Sequence, residues 1–81
     1  MSKEIILKNN IRELRFFANE MTQQELAQKA GVSRQTIIAI EGGNYSPSLK
    51  LAFSIAETFG VPITKVFGYE VEERDKGSKS K

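Results

Sequence analysis

Apolar residues recur at intervals of three and four positions in four stretches of this chain, the spacing that places them on one face of an α-helix. The predicted helices cover about residues 11–20, 23–30, 34–41 and 47–59. A short fifth helix is expected over about residues 62–67. The residues expected to face inward from the first and fourth helices are Ile11, Leu14, Phe17, Ala18, Leu49, Leu51, Ala52, Ile55, Ala56 and Phe59. The pattern predicts a small helical bundle.

Capping residues support these boundaries. Thr22 followed by Glu25 has the spacing of a capping box, and Gly31 can end the second helix in a left-handed conformation. Ser33 is expected to cap the third helix, and Ser46-Pro47 to open the fourth with serine at the cap and proline at the first helical position. Each predicted helix from the second to the fourth therefore has a local start signal.

Two short runs at opposite ends of the bundle favour β-structure. Ile5-Ile6-Leu7 is β-prone, and residues 69–72 alternate between apolar and charged. The runs at 4–7 and 69–72 could pair with each other or across a dimer. From Arg74 onward the chain is rich in Lys, Ser and Gly, which predicts disorder. The expected organisation is an N-terminal segment at 1–8, a helical domain at 9–68, a segment at 69–73 that could form a strand, and a disordered tail at 74–81.

The composition excludes several kinds of chemistry. The 81 residues include no cysteine and no histidine, so disulfides, thiolate metal sites and histidine-dependent triads cannot be built. A glutamate pair remains available, but a helical chain of this size leaves little room for a substrate pocket. We therefore expect no enzyme activity, no metal or cofactor, and no small-molecule ligand.

Charge and hydropathy indicate the cellular setting. The net charge is +2, while the acids and bases within residues 70–81 cancel, so the excess belongs to the folded part. No apolar run is long enough to span a membrane, and the N-terminus lacks the features of a signal peptide. We expect a cytoplasmic protein from a prokaryote.

The apolar and glycine residues of the second and third helices have the spacing of two short helices that pack closely against each other at a steep angle. Ala27 allows close approach, Gly31 allows the turn between the helices, and Ile37 and Ile40 face back toward the second helix. Such a pair holds the N-terminal turn of its second helix clear of the body. The exposed residues there are Ser33, Arg34, Gln35 and Thr36. Their side chains can hydrogen-bond to base edges and phosphates.

The segment TQQELAQKAGVSRQTIIAIEGGNYSPSL resembles the Cro/C1-type (XRE family) helix-turn-helix regulators, and the resemblance extends from about Asn10 to Phe67. It implies an all-α, five-helix, lambda-repressor-like domain. It also implies a transcriptional regulator, most simply a repressor, that binds double-stranded DNA as a homodimer at a near-palindromic operator. An antitoxin-like module that binds another protein is the alternative from a different class.

The resemblance also implies roles for individual residues. DNA contacts are expected from Gln23, Ser33, Arg34, Gln35, Thr36, Asn44, Tyr45 and Ser46. Gln23 and the loop at 44–46 correspond to phosphate-contacting positions, and the residues of the third helix to positions that contact bases and adjacent phosphates. Packing is an equal alternative for Tyr45. For Arg12 we favour a solvated side chain over a DNA contact.

A structural ion pair and a dimer surface complete the implied roles. Arg15 and Glu41 match a pair that ties the first helix to the third, although one extra residue within 16–21 could displace Arg15. Relatives commonly dimerise through the last helix and terminal segments, which here offer Val66, Phe67, Tyr69 and Val71. The alternative is that these residues close the core of the monomer. Phe16 and Phe17 cannot both face the core, because adjacent helical positions diverge by about 100°.

Overall fold

The computed structural model describes residues 3–73, which form five helices between two terminal strands. The predicted disordered tail at 74–81 lies outside the described residues. In chain order the elements are β1 (Lys3–Asn9), α1 (Ile11–Phe17), α2 (Gln23–Ala30), α3 (Arg34–Glu41), α4 (Leu49–Phe59), α5 (Ile63–Val66) and β2 (Phe67–Glu73).

One hydrophobic core holds the helices together. Its buried members come from all five helices, and they are Ile11, Leu26, Ala27, Ile37, Ile40, Ile55, Ala56 and Val66. No polar or charged side chain is fully buried within residues 3–73. The predicted inward positions of α2 and α3 all contribute to this cluster. The helix-turn-helix is therefore anchored in the core and does not merely pack on its surface.

The predicted bounds of α2 and α3 are the observed ones, because local capping interactions define both. The Thr22 hydroxyl accepts a hydrogen bond from the Glu25 backbone N–H at 3.0 Å, and the Glu25 carboxylate accepts one from the Thr22 N–H at 2.9 Å. Gly31 has φ +78°, a conformation that glycine adopts without a steric penalty. The capping box and the glycine turn are both confirmed.

The end of α1 differs from the prediction. The helix stops at Phe17 instead of continuing to about Glu20, and Asn19 and Glu20 follow in left-handed conformations with φ of 64° and 57°. These two residues turn the chain sharply toward α2. The tight turn accommodates the extra residue of this segment without displacing Arg15, whose contacts are described below.

The starts of α4 and α5 also differ. The cap of α4 is Ser48 and not Ser46: its hydroxyl accepts from the Leu51 N–H at 3.1 Å, and the helix begins at Leu49. Pro47 therefore lies in the loop before the helix. Helix α5 begins one residue after Pro62, which provides no side-chain cap.

Two predicted core residues lie at the surface. Phe17 is 79% exposed and Leu49 is 70% exposed, because each occupies a terminal position of its helix, beyond the packed turns. Phe16 is exposed as well, and its ring meets that of Phe17 edge to face with centroids 5.4 Å apart. Both phenylalanines thus face solvent in the single chain.

The terminal runs do form a sheet, so the all-α class is only approximate. β1 and β2 pair antiparallel within one chain, in a register from Lys3 opposite Glu73 to Asn9 opposite Phe67. We call this sheet the terminal sheet. Its strands are longer than the predicted runs at 4–7 and 69–72. Because side chains alternate between faces, one face carries Ile5, Leu7, Tyr69 and Val71, all exposed.

Asn9 and Asn10 join the terminal sheet to the helices. The Asn9 side-chain oxygen accepts from the Ile11 N–H at 3.1 Å, and its amide nitrogen donates to the Ile40 carbonyl at 3.0 Å. The Asn10 amide donates to the Lys65 carbonyl at 3.0 Å. Asn9 therefore connects the start of α1, where the first N–H groups have no partner within the helix, to the end of α3, where the Ile40 carbonyl also accepts from the Gly43 N–H at 3.1 Å.

Candidate nucleic-acid interface

The first turn of α3 presents polar side chains to solvent. Ile37 and Ile40 anchor the helix in the core, while Arg34 and Gln35 are exposed. The Ser33 hydroxyl caps the helix by accepting from the Thr36 N–H at 3.2 Å, and it lies 3.0 Å from the Thr36 hydroxyl. The capping role predicted for Ser33 is confirmed. Arg34 and Gln35 are left with no side-chain hydrogen bond within residues 3–73.

A groove runs along one flank of this turn, where α1, α2 and α3 converge. We call it the arginine groove; it is lined by Arg12, Arg15, Thr22, Gln23, Gln24, Arg34 and Glu41. Gln23, predicted to contact phosphate, and Arg34, predicted to contact bases, line the same groove. These residues come from two different helices, so only the fold makes them neighbours.

A second, smaller groove lies on the other flank. We call it the loop groove; it is lined by Gln35, Thr36, Ala39, Asn44 and Tyr45. Four of the predicted DNA contacts thus share one surface. Ser46 is placed differently, since with Tyr45 it borders a crevice against β1. The loop after α3 therefore touches both the second groove and the terminal sheet.

The floor of the arginine groove is an ion pair between α1 and α3. Arg15 donates from Nε to Glu41 Oε2 at 2.7 Å and from Nη2 to Oε1 at 3.2 Å, and its Nη1 donates to the Met21 carbonyl at 2.9 Å. The two side chains are only 15% and 11% exposed. The pairing implied by the resemblance is present, so the extra residue before α2 did not displace Arg15.

Gln23 joins this network, a contact that sequence reasoning missed. Its Nε2 donates to Glu41 Oε1 at 3.2 Å, so the carboxylate accepts from both Arg15 and Gln23. The contact orients the first residue of α2 against the last residue of α3. No local signal could have found it, because it depends on how the helices pack.

The predicted dimer residues separate into two groups. Val66 is 0% exposed and belongs to the monomer core, so its side chain cannot meet a second chain and that part of the prediction is wrong. Phe67 is half-buried, whereas Tyr69 and Val71 are exposed on the terminal sheet.

Sequence reasoning missed two exposed apolar residues of α4. Leu49 and Phe53 lie one helical turn apart and are both exposed, and Leu49 shares an apolar groove with Leu7 and Phe67 of the sheet. Their i, i+4 spacing was the available signal. We use the name apolar surface for the set Ile5, Leu7, Leu49, Phe53, Tyr69 and Val71.

This arrangement has the geometry of a DNA-binding domain. A short helix anchored by its buried face presents arginine and glutamine at its free N-terminal turn, where they can enter a major groove and meet base edges. The grooves on either side offer amide, hydroxyl and guanidinium donors suited to phosphates. Within residues 3–73, no helix combines the length and the apolar composition that a membrane span requires.

Comparison with known proteins places the chain in a family. A helix-turn-helix family model matches residues 11–66, and the chain belongs to this family, which confirms the resemblance to Cro/C1-type regulators. It is 58% identical to an uncharacterised HTH-type transcriptional regulator of Methanocaldococcus jannaschii over 67 residues, 83% of this chain and 100% of that protein. It is 46% identical to one from Archaeoglobus fulgidus, over 83% of this chain and 93% of that protein.

A more distant relative has a more specific name. The transcriptional repressor RstR of the cryptic phage CTXphi from Vibrio cholerae is 33% identical over 76 residues, which cover 94% of this chain and 68% of that protein.

Proposed function

We propose that this chain is a sequence-specific, double-stranded-DNA-binding transcriptional repressor that acts as a homodimer on a near-palindromic operator. The observation that carries the proposal is the exposed first turn of α3, where Arg34 and Gln35 stand free between two grooves. Membership of the helix-turn-helix family supports DNA binding, and the name of the Vibrio cholerae relative supports repression.

In the proposed complex, α3 lies in the major groove. Arg34 can donate two hydrogen bonds to a guanine, and Gln35 can pair with an adenine. Thr36 and Ser33 contact the base edges or phosphates next to them. Gln23 on one flank and the loop residues Asn44 and Tyr45 on the other contact the two backbone strands, which fixes the register of α3. Ser46, the next residue of the same loop, contacts the phosphate beyond Tyr45.

Dimerisation supplies the specificity that one short helix lacks. Two half-sites about one helical turn apart on the DNA match a protein with two-fold symmetry. The apolar surface is the proposed interface, with Tyr69 and Val71 of the sheet beside Leu49 and Phe53 of α4, and with the half-buried Phe67 at its edge. An isolated two-stranded sheet is only marginally stable in water, so burial against a second chain would stabilise it.

The proposed mechanism is steric. A dimer that occupies its operator excludes RNA polymerase from an overlapping promoter, and no group on the protein needs to react. Affinity then depends on a few base contacts, on phosphate contacts that weaken with salt, and on the fraction of protein that is dimeric.

Selection of bound duplexes from a random DNA library at near-physiological salt tests the proposal. We expect the purified full chain to enrich an inverted repeat, with half-site centres separated by about 10 base pairs or a multiple of that spacing. The Arg34→Ala/Gln35→Ala double variant is the matched control and should enrich no comparable repeat. If the folded wild-type protein enriches no sequence, the proposed function is wrong. An enriched single site would contradict the dimeric mode.

A further inference from the structure

We propose that Arg12 binds a phosphate of the operator backbone, so that α1 is part of the DNA interface. This inference rests on the proposed function and adds a contact outside the residues assigned to it. Sequence reasoning favoured a solvated Arg12. The structure shows Arg12 exposed to solvent, and it lines the arginine groove together with Gln23, Gln24 and Arg34.

The first argument is the charge balance of the groove. Three arginines and one glutamate line it. Arg15 and Glu41 neutralise each other through two hydrogen bonds, and Gln23 donates to the same carboxylate. Arg12 and Arg34 have no ion-pair partner among residues 3–73. The groove therefore carries two positive charges that no ion pair within residues 3–73 neutralises, and these attract an anion; the nearby carboxylate of Glu20 borders a neighbouring depression with Arg12 and forms no ion pair with it.

The second argument is the position of these arginines along their helices. Arg12 is the second residue of α1, and Arg34 is the first residue of α3. A cation in the first turn of a helix opposes the helix dipole, at a cost of some tenths of a kcal/mol. Both arginines are thus unfavourably placed for stability alone. Both line the same groove, and a bound phosphate would reverse the unfavourable term.

The third argument is the rigidity of the groove. Its floor is the Arg15–Glu41 pair, and that pair is tied to the α1–α2 turn by the bond from Arg15 to the Met21 carbonyl. Gln23 also lines the groove, and its side chain is oriented by its hydrogen bond to Glu41. Arg34 adjoins the groove at the start of α3. A strand that passes Arg34 toward α2 would therefore bring the phosphate next to the contacted bases within reach of Arg12.

Binding to the selected operator and to an unrelated duplex, measured as a function of salt, tests Arg12. We expect Arg12→Ala to weaken binding to both duplexes by about tenfold, and to reduce the slope of log K against log salt by about 0.9. Lys29→Ala is the matched control, since Lys29 is also an exposed cation but lies in the last turn of α2, away from the groove. It should leave the slope unchanged.

Replacing single operator phosphates by neutral methylphosphonates identifies the partner. One position beside each half-site should weaken binding of the wild type but cost Arg12→Ala nothing further. Arg12→Gln, which keeps most of the side-chain stem, should behave like Arg12→Ala and covers the case in which the alanine variant unfolds.

The outcomes separate this inference from the function on which it rests. If the wild type selects an operator while Arg12→Ala and Arg12→Gln behave like Lys29→Ala, the Arg12 contact is refuted and the proposed function stands. If the wild type selects no operator, the proposed function fails first and the contact with it.

Discussion

The helical body and the terminal sheet differ in how they place apolar side chains: the body buries many of them in a core, and the sheet leaves one apolar face exposed. The body collects side chains from all five helices into one core, in which Ile11, Leu26 and Ile37 are fully buried. The sheet leaves Ile5, Leu7, Tyr69 and Val71 exposed on one face. The body therefore has a core of its own within one chain, whereas the apolar face of the sheet, with Leu49 and Phe53 of α4 beside it, stays exposed. In the proposed complex, presenting α3 to DNA and bringing two chains together depend on different surfaces.

The largest effect on stability is expected from truncating a buried side chain of the core. Ile37→Ala should lower the free energy of unfolding by about 2–5 kcal/mol, because it removes a fully buried side chain and leaves a cavity. Ile5→Ala in the sheet is the matched control and should cost well under this in dilute, monomeric protein. Denaturant titration of both variants measures the difference. Equal losses would mean that the sheet and the body form a single packed unit.

A partly buried and an exposed ion pair within residues 3–73 should differ almost as much in their contribution to stability. Arg15→Ala should destabilise the fold by about 3 kcal/mol, since it leaves the Glu41 carboxylate shielded from water with Gln23 as its remaining donor. Lys8→Ala removes the exposed pair with Glu70, whose atoms are 3.7 Å apart, and should cost less than about 1 kcal/mol. Thermal unfolding of the two variants decides this, and a small effect at Arg15 would contradict it.

Substitutions at the proposed base-contacting residues should alter DNA recognition without altering dimerisation. Arg34→Ala and Gln35→Ala should each cost about 1–3 kcal/mol on the selected operator and relax base preference at one position of each half-site. Gln23→Ala should weaken binding to all sequences alike. Binding to a panel of single-base operator variants measures both effects. Unchanged discrimination in the α3 variants would remove Arg34 and Gln35 from the base-contacting role.

Variants of the apolar surface should have the converse effect. Tyr69→Ala should weaken self-association by about 2 kcal/mol, the scale of an interface anchor, and leave base preference unchanged. Leu49→Ser tests the contribution of α4 to the same surface. Sedimentation across a range of protein concentrations measures the shift. Wild-type protein that remains monomeric on its operator would rule out this interface.

The smallest expected effect on stability comes from Asn9 and Asn10, which connect the terminal sheet to the helical body. Asn9→Ala removes the acceptor for the Ile11 N–H and the donor to the Ile40 carbonyl, and it should cost about 1–2 kcal/mol. Asn10→Ala, which loses the bond to the Lys65 carbonyl, serves as the comparison at the next residue. Amide hydrogen exchange should show faster opening in β1 and at the start of α1 for Asn9→Ala. Unchanged exchange would mean that backbone pairing alone holds the sheet in place.

Features that depend on residues close together in the sequence could be predicted, provided that the local residues distinguish one possibility from another. The capping box of Thr22 and Glu25 spans three residues, and the Gly31 turn depends on one conformation; both were predictable. The cap of α4 was not, because Ser46 and Ser48 both precede the apolar run and local preference does not separate them. The same locality explains why the bounds of α2 and α3 were right while the end of α1 was not: its end depends on the left-handed pair Asn19 and Glu20, which no glycine marks.

The sequence by itself determined the helix-turn-helix: the two helices, their turn, their buried positions and the polar turn that α3 presents. The tertiary structure decided which residues surround that turn. It placed Gln23 against Glu41, Arg12 on the wall of the arginine groove, Val66 in the core and Leu49 beside the terminal sheet. Capping and periodicity act within a few residues, and so the chain shows them directly. Groove walls and exposed apolar faces are made by residues far apart in sequence, and only packing brings them together.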